Sequence, residues 1–99
     1  MSRFARNVDG NQVAVVAAFR KAGAFVQHLH AVGAGCPDLL VGYRGVWRVV
    51  EVKDGRKVPS ARRLTEAEAK WHERAAFLGL PVSVVESPED AVQLLRRAP

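Results

Sequence analysis

One cysteine, Cys36, stands in 99 residues. It cannot close an internal disulfide, and it fits a reducing compartment. No apolar run reaches the length of a membrane span. The start, Met-Ser-Arg-Phe-Ala-Arg-Asn, lacks an apolar signal core, so a cytoplasmic protein is expected. There is no repeat and no low-complexity segment. His28, His30 and His72 hold no regular ligand spacing with the cysteine, which argues against a zinc site. Acidic residues are in deficit, 10 against 15 Lys and Arg, for a net charge of +5. The imbalance concentrates between Arg44 and Lys70, which hold eight basic residues and four acidic ones. Such an excess points to a polyanion, with nucleic acid first, or to a solvated basic face. Hydrophobic residues make up 48%, too many for a disordered chain. The length fits one domain, residues 1–99.

The informative stretch runs from Gly35 to Lys53. Leu39 to Tyr43 and Val46 to Val52 are apolar runs rich in β-branched and aromatic residues, broken at Arg44-Gly45. A two-residue turn there sets Asp38 opposite Glu51. A four-residue loop, Gly42 to Gly45, sets Asp38 opposite Val49 and diagonal to Glu51. In both registers the carboxylates share a face. Lys53, two residues past Glu51, joins them, while Val52 points away. Two carboxylates and an ammonium thus meet at one end of an apolar hairpin. Like charges across a ladder repel, and a divalent cation with oxygen ligands would fill the gap.

Around this hairpin the chain reads in order. Met1 to Val8 is a basic arm. Asp9 and Gln12 form a capping box that opens a helix over Val13 to Ala22, with Val15, Phe19 and Ala22 on its buried face. Ala24 to Leu29 is a short strand, and Ala31 to Gly35 a glycine-bearing connection. Asp54 to Arg63 is irregular and basic, with Arg56, Lys57, Arg62 and Arg63 around Pro59-Ser60. A second capping box, Thr65 to Glu68, opens a helix whose apolar stripe is Ala67, Trp71, Ala75 and Leu78. Pro81 to Glu86 is a strand. Ser87 and Pro88 start a last helix that buries Ala91, Val92 and Leu95. The order is α-β-β-β-α-β-α, an α/β fold with a mixed sheet flanked by helices.

Gly-x-Pro-Asp38 and Glu51-Val-Lys53 on neighbouring strands, in that order of elements, resemble the PD-(D/E)xK nuclease superfamily. Within it the likeness is to the small stand-alone VRR-NUC domains of phage and bacteria. The Asp-x-Asn-Gln start of the first helix, the basic loop with Pro59-Ser60, and Leu64-Thr65 before a helix containing Trp71-His72 belong to the same likeness. It spans nearly the whole chain.

The resemblance implies a restriction-endonuclease-like core and a metal-dependent DNA endonuclease, similar to Holliday-junction resolvases, in a bacterial cell or phage-infected host. It implies that Asp38, Glu51 and the backbone carbonyl of Val52 hold Mg2+ or Mn2+, with Gln12 a further candidate ligand. Lys53 would act on the attacking water and the phosphate. Arg56, Lys57, Arg62, Arg63 and Lys70 would contact DNA, and the chain would form a homodimer on branched DNA, away from any membrane. The pattern departs from the family in two places. Gln12 stands where relatives carry a helix glutamate, with Asp9 one turn earlier, and Glu68 stands where relatives often have glutamine. A nucleic-acid-binding module that kept the fold without the activity is the alternative. Trp47 and Trp71 are read as core or dimer-interface residues.

Overall fold

A computed structural model describes residues 10–98. The basic arm and the Asp9 cap lie outside the described residues. The elements are α1 (Gly10–Lys21), β1 (Phe25–His28), β2 (Leu39–Tyr43), β3 (Val46–Val52), a 3-10 turn (Pro59–Arg62), α2 (Glu66–Phe77), β4 (Val82–Val85) and α3 (Pro88–Arg96). The expected order of elements is the observed one.

The sheet runs β1-β2-β3-β4, with β1, β2 and β3 antiparallel in turn and β4 parallel to β3. Tyr43 pairs with Val46 and Leu39 with Val50, so Arg44-Gly45 is a two-residue turn. Arg44 has φ 50° and Gly45 φ 80°. Two successive left-handed residues make the type I′ turn, whose twist matches that of the strands it joins. Glycine adopts this conformation freely; Arg44 sits in it against a preference. Of the two registers open to the sequence, this one carries Asp38 to the position facing Glu51.

Alternation then divides the sheet. Leu39, Val41, Val50 and Val52 face the core, where they meet Val15, Val16 and Phe19 of α1 and Ala91, Leu94 and Leu95 of α3. Phe19, Leu39, Leu94, Val41 and Val50 are fully buried. Truncating a core phenylalanine typically costs about 3–5 kcal/mol. Leu40, Val49 and Glu51 point to the other face, which α2 covers only in part. Trp47 also projects there and is 63% exposed, lying over Gly42 and edge-on to Phe25. It is therefore no core residue.

Helix α2 opens on its expected capping box, with Thr65 and Glu68 bonded reciprocally. Its apolar stripe behaves otherwise than expected. Only Ala75 is buried, while Ala67 and Leu78 are exposed and Trp71 half-buried. The helix lies beside β4, the edge strand, where little of the sheet remains to cover it. Helix α3 begins as read, with Ser87 accepting from the Asp90 N–H at 3.1 Å and Pro88 in its first turn. It buries Leu94 rather than Val92. Ala22 lies beyond the end of α1 and is exposed. No helix among the described residues is long and apolar enough to cross a membrane.

Candidate active site

Pro37 lies just before β2 and has no N–H with which to extend the ladder. On the other side the β1–β2 ladder runs one pair further, with the Leu29 N–H donating to the Asp38 carbonyl at 2.8 Å. The Asp38 side chain continues the pairing in place of the backbone. Its Oδ2 accepts from the Val52 N–H at 2.8 Å. This fixes one carboxylate beside the next, since Glu51 precedes Val52 on the facing strand.

Glu51 is completely buried. Its Oε1 lies 3.3 Å from Nε2 of His72, and its Oε2 meets no hydrogen-bond donor among the described residues. Burial, then the neighbouring Asp38 and Glu68 carboxylates, push its pKa up to about 9, with Lys53 acting in the opposite direction. Were both carboxylates ionised, they would have no proton to share and the buried oxygen would be bare. A shared proton or a bound cation would satisfy it. Asp38 and Glu51 therefore suit a hard cation with oxygen ligands. Among the described residues, no three His, Cys, Asp or Glu side chains gather as a metal cage; any inner shell here is this carboxylate pair plus backbone or amide oxygens.

Lys53 lies past the end of β3, where its N–H donates to the Val85 carbonyl at 3.0 Å. Its Nζ donates to Oε1 of Glu68 at 2.9 Å, with both side chains mostly buried. That same oxygen accepts from the Thr65 N–H at 2.9 Å. One atom thus closes the helix cap and holds the lysine. Burial raises the Glu68 pKa, but the bonds from Lys53 and Thr65 outweigh it and hold the carboxyl below its usual range. Burial holds the His72 pKa down.

Two other contacts brace the floor. Asn11, buried in the first turn of α1, donates from Nδ2 to the Lys53 carbonyl at 2.7 Å. Gln12 is buried beside it. Gly35 lets the connection before β2 lie against α2; a Cβ there would sit 2.2 Å from the Ala67 carbonyl oxygen, and its φ is +81°. Burial, followed by the charges of Glu51 and Asp38, raises the Cys36 pKa.

A solved structure described as a VRR_NUC domain matches this chain. It is 32% identical, with a TM-score of 0.64, over 89% of this chain and 92% of its own. The chain belongs to the VRR-NUC domain family. No family model and no curated protein matches it. In this VRR-NUC chain the β2–β3 hairpin brings Asp38, Glu51 and Lys53 to one end of the sheet.

The basic residues expected on DNA in this VRR-NUC chain differ in their surroundings. Arg56 pairs with Asp54 at 2.9 Å, and its side-chain and backbone bonds lower the Asp54 pKa to about 2. Arg62 reaches Glu86 at 3.4 Å, and Lys70 reaches Glu66 at 3.7 Å within α2. Lys57 and Arg63 are exposed. The sequence placed Asn11 and His72 in the family likeness without a role at the site, and Glu68 in a cap and as a departure from the family pattern, without its bond to Lys53. Glu68 and His72 stand four apart on α2, which is one helix face, and that spacing was a usable signal. Nothing in the sequence shows the partner of Asn11, which lies 42 residues away.

Proposed function

We propose that the chain is a metal-dependent DNA endonuclease that acts on branched DNA as a homodimer. One observation carries this reading. A fully buried carboxylate, with one oxygen bare, faces a second carboxylate beside a restrained lysine. Such an arrangement costs stability unless it serves a cation and an anion in turn.

In this reading Asp38, Glu51 and the Val52 carbonyl hold Mg2+ or Mn2+, with Gln12 close to that shell. The bound ion supplies a Lewis acid and an acidified water. Asp38 is oriented by the Val52 N–H. Glu51 would hold the ion as the carboxylate, with His72 Nε2 3.3 Å from its Oε1. Lys53, steered by Glu68, presents positive charge to the scissile phosphate. Arg56, Lys57, Arg62, Arg63 and Lys70 contact the sugar–phosphate backbone; the pairs that Arg56, Arg62 and Lys70 make would have to be exchanged for phosphate.

The dimer reading is supported by the uncovered side of α2 and β4. Phe77 is 88% exposed, and Leu78, Leu80 and Val84 are also exposed. Together they form an apolar surface that a two-fold copy could bury. A four-way junction cut on two strands needs two sites, and this domain carries one.

The test is a cleavage panel of four-way junction, flap, fork and linear duplex with Mg2+, Mn2+ or EDTA, run on the wild type and Asp38→Asn. Metal-dependent cutting of branched DNA, lost in the variant, is expected. Binding without cutting under every condition would leave a binding module instead. Light scattering of the wild type and Phe77→Asp at micromolar concentration reads the dimer, and a monomeric wild type that cuts junctions symmetrically would refute that part.

A further inference from the structure

The charges at the opposite end of the sheet belong to no part of the site above. A cavity of about 690 Å³ opens there between the β2–β3 turn and the end of α3. Tyr43, Arg44, Arg48, Arg96 and Arg97 line it. Among the described residues no side-chain carboxylate lines it, and none of these four arginines forms an ion pair with a described residue. Arg56, Arg62 and Lys70 behave differently, each being matched locally by an acid.

Two contacts show how the cluster is built. Arg48 Nη2 donates to the Arg97 carbonyl at 2.7 Å, which satisfies that carbonyl at the end of α3 and ties it to β3. Arg44 stacks over the Tyr43 ring at 5.2 Å, so the strained turn residue has its guanidinium pinned at the rim. A helix C-terminus favours cations. That accounts for one or two arginines on α3, but not for Arg44 and Arg48 arriving from the hairpin. Four guanidinium groups around one opening repel one another, and an anion at the centre relieves them. Guanidinium forks suit phosphate oxygens in particular.

We propose that Arg44, Arg48, Arg96 and Arg97 form a second phosphate-binding surface, taking the sugar–phosphate backbone of a stretch of DNA other than the one being cut. This rests on the reading of the chain as a DNA-acting nuclease. Position decides which stretch is meant. Tyr43 lies five residues along β2 from Asp38, roughly 17 Å at strand rise. Arg48 also points to the sheet face opposite Glu51, two residues being the repeat of a strand. A strand seated on Asp38 and Glu51 cannot continue straight onto the arginines. The occupant is a neighbouring arm or flanking duplex that wraps the hairpin turn.

The test uses the whole chain in EDTA, so that no DNA is cut. Isotope-labelled wild type is titrated with a four-way junction and, separately, with polyglutamate. DNA is expected to shift the Tyr43, Arg44 and Arg97 amides as well as those of Lys53 and Arg63. In parallel, junction binding is measured against salt for the wild type and an Arg44→Gln/Arg96→Gln/Arg97→Gln variant. All three positions are exposed, and a melt verifies folding. The slope of log affinity on log salt should become shallower by about 2 to 3, at ~0.9 per lost phosphate contact. Shifts at the loop without shifts at the turn would overturn the second surface and leave the nuclease reading standing. So would shifts at the turn with polyglutamate alone. Failure of wild type to bind any DNA would overturn both.

Discussion

Glu51→Gln offers the sharpest measurement, because it replaces a buried acid by the isostere of its protonated form. With the folded pKa at about 9 and the ordinary value at 4.5, the native state holds a proton that the unfolded chain releases. Stability should then fall as pH rises between those values. Each pH unit in that window is worth ~1.4 kcal/mol, for a ceiling of about 6 kcal/mol. Relaxation and water entry reduce such shifts, so a few kcal/mol by pH 9 is the working expectation. The glutamine carries no such penalty. In EDTA the variant should be more stable than the wild type, and its advantage should widen from pH 7 to pH 9. His72, whose pKa is held below its usual 6.5, is neutral across that range and adds no slope of its own. Urea unfolding at four pH values reads the difference directly through the midpoints. Adding Mn2+ should reverse the order, because the wild type gains a ligand-bound state that the variant holds poorly. Parallel curves in EDTA, or a gap that narrows with rising pH, would refute the account of Glu51.

Four other outcomes follow from the same geometry. Mn2+ affinity of the wild type should rise up to tenfold per pH unit between pH 7 and pH 9, as one proton leaves Glu51; calorimetry in buffers of different ionisation enthalpy counts that proton. Gly35→Ala should destabilise by ~2 kcal/mol or more, since its Cβ would overlap the Ala67 carbonyl at a positive φ; an unchanged urea midpoint would contradict the close approach. Asn11→Ala should cost about 1–3 kcal/mol by stranding the part-buried Lys53 carbonyl, read by the same melts. Glu68→Gln should keep the helix cap yet slow cleavage by loosening Lys53, whereas Glu68→Ala should also lower stability by about 1 kcal/mol; equal cleavage rates for wild type and both variants would dismiss the latch.

The element order and the pairing of Asp38 with Glu51 were legible because period and turn chemistry are local. β-Branched runs flanking Arg44-Gly45 admitted only two registers, and the structure adopts the tighter one. The helix starts at Thr65 and Ser87 were legible for the same reason, each cap being spelled out within four residues. What could not be read was set by neighbours distant in sequence. The stripe Ala67, Trp71, Ala75, Leu78 has the period of a buried helix face, but burial needs an opposing surface, and the sheet ends at β4. The net charge showed a basic chain without showing which cations are matched by acids. Glu68 read as a cap because its cap partner is three residues away, whereas its lysine is fifteen away.

The sparse packing of α2 has a kinetic and thermal consequence. This helix holds Glu68 and His72 against the carboxylates, yet among its residues only Ala75 is buried. Segments anchored by so little apolar contact open locally at free energies well below that of global unfolding. Amide exchange along α2 should therefore be faster than along β2 and β3. Activity should fade on heating while the sheet is still intact, because the lysine latch opens with the first turn of α2. In a monomer that loss would come at a fixed temperature. If a second copy covers Phe77 and Leu78, the inactivation temperature should climb with protein concentration while the exchange rates of the central strands stay constant.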